Sequence, residues 1–105
     1  MQNSNLPEPE LLRTVLQPLL EDFQYWFARS HDFLETERVE FMSKQEQSDL
    51  LSRVKEAQEE VKTAKMLFAA TDGQVGIEMA TLIPWHGVVT ECWNVAMRFR
   101  QEEKS

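Results

Sequence analysis

The stretch that most restricts this chain is 84–100, Pro-Trp-His-Gly-Val-Val-Thr-Glu-Cys-Trp-Asn-Val-Ala-Met-Arg-Phe-Arg, the segment least able to stand alone in water. At 100° per residue, Trp85, Val88, Val89, Cys92, Trp93, Val95, Ala96, Met97 and Phe99 fill more than half of a helix circumference. Only Gly87, Thr90, Glu91, Asn94 and Arg98 are left to form a strip for solvent. A helix this apolar needs cover on two sides, so the remainder of the chain must supply at least two packing partners.

The first partner is a long helix starting between Glu8 and Glu10, after Pro7 and Pro9, with acids in the first turn where the helix dipole favours them. Leu12, Val15, Leu16, Leu19, Leu20, Phe23, Trp26, Phe27, Phe33 and Leu34 then share one broad face, a core stripe through about seven turns. Pro18 interrupts one backbone hydrogen bond and bends this helix without ending it, since the apolar period runs on through it. Pro18 and Tyr25 lie together opposite the stripe, a candidate exposed patch.

The helical period lapses over 36–42, a connection in which Val39, Phe41 and Met42 tuck against the bundle. Ser43 to Glu46 spells a capping box, in which each side chain satisfies the other residue's backbone donor, and helix 2 starts there. Its apolar positions, Leu50, Val54, Ala57, Val61, Ala64 and Phe68, are spaced 4-3-4-3-4. That is a heptad seam, but fewer than three heptads with alanine at two positions favour close packing within one domain over a coiled coil. Thr71-Asp72-Gly73 ends the helix, Gly73 suiting a left-handed cap. The stretch 74–83 fits both alternation and a helical turn, and Pro84 fits the first turn of helix 3. The fold expected is all-α, an up-down-up three-helix bundle with long helices 1 and 2 and a shorter, highly apolar helix 3. Residues 1–8 read as a disordered polar arm and 9–103 as a single domain.

At 105 residues the chain fits one domain that buries roughly two thirds of its unfolded surface, enough for a core without staples. Cys92 is the single cysteine, so no intrachain disulfide forms, which fits a reducing compartment. The first ten residues carry neither a basic n-region nor an apolar h-region, unlike a signal peptide, and no run of about 18 apolar residues would cross a membrane. A net charge of -7 without a Lys/Arg cluster makes phosphate backbones and anionic lipid surfaces poor partners, so no nucleic-acid partner is expected. The acidity favours solubility first and a basic partner surface second.

Reactive chemistry is sparse. His86, at the edge of the apolar arc, would serve as a haem ligand or base only with a second group, and none stands at a readable spacing. His31 and Glu35 share a helix face, but two ligands do not make a metal site. The Glu-x-x-His pairs of di-iron bundles do not occur. Cys92 sits about 120° around the helix from His86, at the centre of the apolar arc, where burial quiets a thiol. The glutamates 56, 59 and 60 read as solvated helix surface, and Gly73-Gln-Val-Gly76 follows no strand and is no phosphate loop. No catalytic, cofactor-binding or metal-binding residue is assigned.

The stretches 11–27, Leu-Leu-Arg-Thr-Val-Leu-Gln-Pro-Leu-Leu-Glu-Asp-Phe-Gln-Tyr-Trp-Phe, and 84–100 resemble a family of small uncharacterised cyanobacterial helical proteins, a domain of unknown function. The resemblance covers about 11–100. It implies a cyanobacterial, cytoplasmic protein and brings no activity, cofactor or functional residue.

The function expected is a non-enzymatic interaction or assembly module, self-associating or binding a protein through the edge of helix 3. Trp93, Met97 and His86 form the uncovered strip, with Pro18 and Tyr25 as a second patch. The alternative is a carrier of a small hydrophobic ligand or pigment lined by Trp85, Trp93, Met97 and the helix 1 aromatics. A hydrolytic enzyme with a pocket near His86 ranks third.

Overall fold

Three helices, α1 (Pro9–Thr36), α2 (Lys44–Ala70) and α3 (Met79–Glu103), make up nearly all of what the computed structural model describes. The described residues are 9–71 and 79–103, with side chains from Thr14 and from Ala80 onward, and no strand occurs among them. The expected polar arm and Gly73 fall outside them. Among the described residues no helix is long and apolar enough to cross a membrane.

Helix α2 starts where its local chemistry dictates. The Ser43 hydroxyl accepts from the Glu46 backbone N–H at 3.0 Å, and the Glu46 carboxylate accepts from the Ser43 N–H at 2.8 Å. Two orphan donors are thereby satisfied reciprocally. At the other end the Thr71 N–H and hydroxyl both donate to the Leu67 carbonyl, at 3.1 and 2.9 Å, so a side chain helps to close the last turn. Between these caps the seam is buried at Leu50, Val54, Ala57, Val61 and Phe68, with Ala64 half-buried.

On α1 the buried line is Leu16, Leu20, Phe23, Phe27 and Leu34, and the helix runs on through Pro18. The stripe is narrower than its sequence implies: Val15 is 56 % and Trp26 39 % exposed. Trp26 sits on the flank of α1 that turns towards α3 rather than on the line that meets α2. In the connection Val39 is fully buried, with Phe41 and Met42 packed beside it.

Pro84 does not open helix 3. Met79 begins α3, which makes Pro84 its sixth residue, and at 25 residues α3 nearly matches α1 and α2 in length. Proline here removes the bond to the Ala80 carbonyl. Both residues are exposed, so the missing hydrogen bond lies on the solvent side of the helix, while Leu82 and Trp85 on either side of Pro84 pack against the core. Only the centre of the broad apolar arc is fully buried, at Trp85 and Cys92, and Val88, Val89, Val95 and Phe99 are half-buried around it.

The contacts between helices have a definite order. From α1 to α2 they are Gln24 with Lys65, His31 with Gln58 and Leu34 with Gln47, so numbers rise on one helix as they fall on the other. From α1 to α3 the ring contacts Phe23–Trp85 and Phe33–Phe99 rise together. Arg53 meets Glu91 through two hydrogen bonds of 2.8 and 2.7 Å, and the Trp85 indole N–H donates to Glu60 at 2.9 Å, which ties α3 to α2.

Candidate functional site

A helix flank left uncovered by its neighbour becomes a groove wall, and this happens between the C-terminal halves of α1 and α3. On α1, Trp26, Arg29, Ser30, Phe33 and Glu37 recur at three- and four-residue intervals and so share one flank. On α3, Trp93, Ala96, Arg100 and Glu103 do the same. Between them lies a groove of about 350 Å³. Its cause is a mismatch of side-chain size: the aromatic rings, among them the edge-on pair Phe33 and Phe99 at 5.1 Å, hold the helices apart, while Ser30 and Ala96 are too short to fill the space.

Trp93 stands on one bank, 54 % exposed, and Trp26 on the other. Tyr25 packs edge-on against Trp26 at 5.2 Å, and its hydroxyl accepts a 3.0 Å hydrogen bond from Arg29, whose guanidinium also lies 5.7 Å from the Tyr25 ring. The two patches expected separately, one around Trp93 and one around Tyr25, are therefore joined through Trp26 and the groove. Met97, one turn from Trp93, is exposed outside the groove, and so are His86 and Pro18.

Of the groove residues, Trp26 belongs to the core stripe in the sequence but to an exposed bank in the structure, and the sequence reading assigns no site role to Arg29, Glu37, Arg100 or Glu103. The signal was present in the spacing of Trp26, Arg29, Phe33 and Glu37, but it marks a flank only once the position of α3 is known.

Cys92 forms part of the groove floor and is buried. Burial pushes its thiol up from the ordinary value, and the Ser30 hydroxyl beside it offsets this in part. The site therefore presents a protonated thiol at neutral pH rather than a nucleophile. His31 lies elsewhere: its Nδ1 is 2.7 Å from the Gln58 amide oxygen and its Nε2 3.3 Å from Glu35. Among the described residues no three His, Cys, Asp or Glu side chains cluster as metal ligands.

A second depression, of about 620 Å³, lies between α2 and the start of α3, where Glu60, Leu67, Pro84 and Trp85 border it. The residues expected to line one carrier pocket are thus separated. Trp93 borders the α1/α3 groove, Trp85 borders the α2/α3 depression, and Met97 borders neither.

The family model described as "Protein of unknown function (DUF2605)" matches residues 6–101. No curated protein and no solved structure matches the chain.

Proposed function

We propose that this chain, which belongs to the DUF2605 family of proteins of unknown function, works as a small non-enzymatic interaction module whose binding face is the α1/α3 groove. One observation carries the reading: two tryptophans, Trp26 and Trp93, stand on opposite banks of one groove with much of their surface in water. Exposed aromatic side chains around a concavity are the usual composition of an interface core, and truncating such a tryptophan costs about 2 kcal/mol or more of binding. Met97 and Tyr25 enlarge the face, with His86 and Pro18 at its outskirts. Binding is favoured over turnover because the thiol in the floor is held protonated by burial and the charged groups sit on the rim.

The architecture that presents this face is an up-down-up bundle, supported by the opposed order of the α1–α2 contacts and the common order of the α1–α3 contacts. A cytoplasmic place in a cyanobacterial cell belongs to the same reading. The buried free thiol of Cys92 suits a reducing compartment, and the stretches 11–27 and 84–100 carry the resemblance.

The test is a photo-crosslinking amino acid at position 93 or 97 in the native host, with position 52, on the outer face of α2, as control. Covalent adducts from 93 and 97 but not from 52 are expected. If all three positions label alike, or none does, the binding face is elsewhere. The carrier reading keeps one observation in its favour: the groove volume lies within the range of small-molecule sites, about 300–1,000 Å³. A mass excess on protein purified natively, lost with Trp93→Ala, would move the conclusion to a ligand.

A further inference from the structure

We infer that the occupant of the α1/α3 groove is a second copy of this chain, turned end for end about a two-fold axis through the groove. The inference rests on the groove being a binding face and names its partner.

Charge is graded along the groove. Because Phe23 meets Trp85 and Phe33 meets Phe99, α1 and α3 advance together, and positions on the two helices can be compared level by level. Level with Trp26 and Trp93 the rim carries Arg29. Beyond the Phe33–Phe99 pair it carries Glu37 and Glu103 with Arg100. One end is therefore positive by one charge and the other negative by one, and the whole rim is neutral on a chain of net charge -7. Two acidic copies approach with least repulsion where each is locally neutral and apolar.

The gradient also fixes the orientation. Copies docked in the same direction would set Arg29 against Arg29 and Glu37 against Glu37. Reversed copies set Arg29 of each against the end of the other that carries Glu37, Arg100 and Glu103 and is negative by one, and a two-fold axis makes this happen twice. Arg29 and Glu37 are eight residues apart, about 12 Å along a helix, so the two-fold axis falls level with Phe33 and Phe99 and each Trp93 lies towards the Glu37 end of the other copy. The groups are available: among the described residues Glu37, Arg100 and Glu103 make no ion pair within the chain, in contrast to Arg53 with Glu91 and Arg98 with Glu102.

Sedimentation equilibrium of the full chain tests this, with helical circular dichroism as a folding control. The wild type is expected to show a monomer–dimer equilibrium, weakened at least about tenfold by Trp93→Ala, by Arg29→Glu, or by Glu37→Arg with Glu103→Arg. Mixing the Arg29→Glu chain with the Glu37→Arg/Glu103→Arg chain restores dimers as a hybrid, because both reciprocal contacts become attractive again. A wild type that stays monomeric to about 500 µM overturns the second copy. Dimers indifferent to these charge reversals overturn the end-for-end arrangement. A monomer that nevertheless crosslinks from position 93 to a different protein defeats this inference alone and leaves the binding face standing, whereas a monomer with no adduct defeats both.

Discussion

Gln47 is a buried polar residue among the core side chains, and each of its amide atoms has a use. Its nitrogen donates to the Leu34 and Glu37 carbonyls at 2.9 and 2.7 Å, and its oxygen accepts from the Val39 N–H at 3.0 Å and from Arg38 at 2.9 Å. The side chain thus satisfies backbone groups left open where α1 ends, and it does so from the first turn of α2. The Arg38 guanidinium closes the clasp by donating to the Val39 and Met42 carbonyls. Replacing Gln47 with leucine keeps the volume but strands buried backbone donors and acceptors, so Gln47→Leu should destabilise the protein by about 3 kcal/mol in urea titration. A loss under about 0.5 kcal/mol would mean that water or a rearranged connection takes over. The capping box beside it was legible in the sequence because both partners lie within four residues. The clasp was not, because its partners lie eight to thirteen residues away and a glutamine after a cap reads as solvated surface.

Among the elements, α2 was the most legible, since one unbroken 4-3-4-3-4 period sets its buried seam regardless of what packs on it. The other two helices have apolar arcs wider than one neighbour can cover, and a sequence does not say which edge stays wet. That is why Val15 and Trp26, on the core stripe of the sequence, stand exposed, and why, among the described residues, α3 contributes only Trp85 and Cys92 to the buried set. The start of α3 was misplaced because proline at a first turn is the commoner arrangement, whereas here Leu82 anchors a turn before it. It follows that Pro84→Ala, at an exposed position with helical backbone, restores one hydrogen bond and removes a steric clash. It should stabilise the protein by about 1–3 kcal/mol, seen as a higher thermal midpoint. The α2–α3 clamp makes a pH prediction. The hydrogen bonds from Arg53 hold the Glu91 carboxyl below the usual carboxylate range, against a smaller opposing effect of burial. A carboxylate whose pKa is depressed on folding stabilises above its unfolded pKa, about 4.3, and that contribution fades as pH falls through the folded value. Glu91→Gln should therefore unfold more easily than wild type near pH 6, and the gap should close as acid is added below about pH 4.3. Urea midpoints across this range measure it, and a gap that widens in acid would reverse the sign.

For the molecule as a whole, the buried apolar side chains are shared unevenly. Leu16, Leu20, Phe23, Phe27 and Leu34 of α1 interlock with Leu50, Val54, Ala57, Val61 and Phe68 of α2, while α3 sets Trp85 and Cys92 into the seam and leaves Trp93 and Met97 outside. Local opening free energy follows buried apolar contact, so α3 should be the part that detaches first. Amide hydrogen exchange should then show the second half of α3, past Cys92, exchanging well before the centres of α1 and α2. The same unevenness connects fold to function, because the helix held least firmly is the one that carries the Trp93 bank of the groove. An occupant there would supply the cover that α1 and α2 do not, and binding to the folded form raises the opening free energy in proportion to occupancy. Protection of α3 should therefore rise with protein concentration if a second copy docks, while the α1–α2 pair changes little. Exchange in α3 that is as slow as in α2 in dilute protein would mean that α1 and α2 already suffice to hold it, and the exposed tryptophans would then need another explanation.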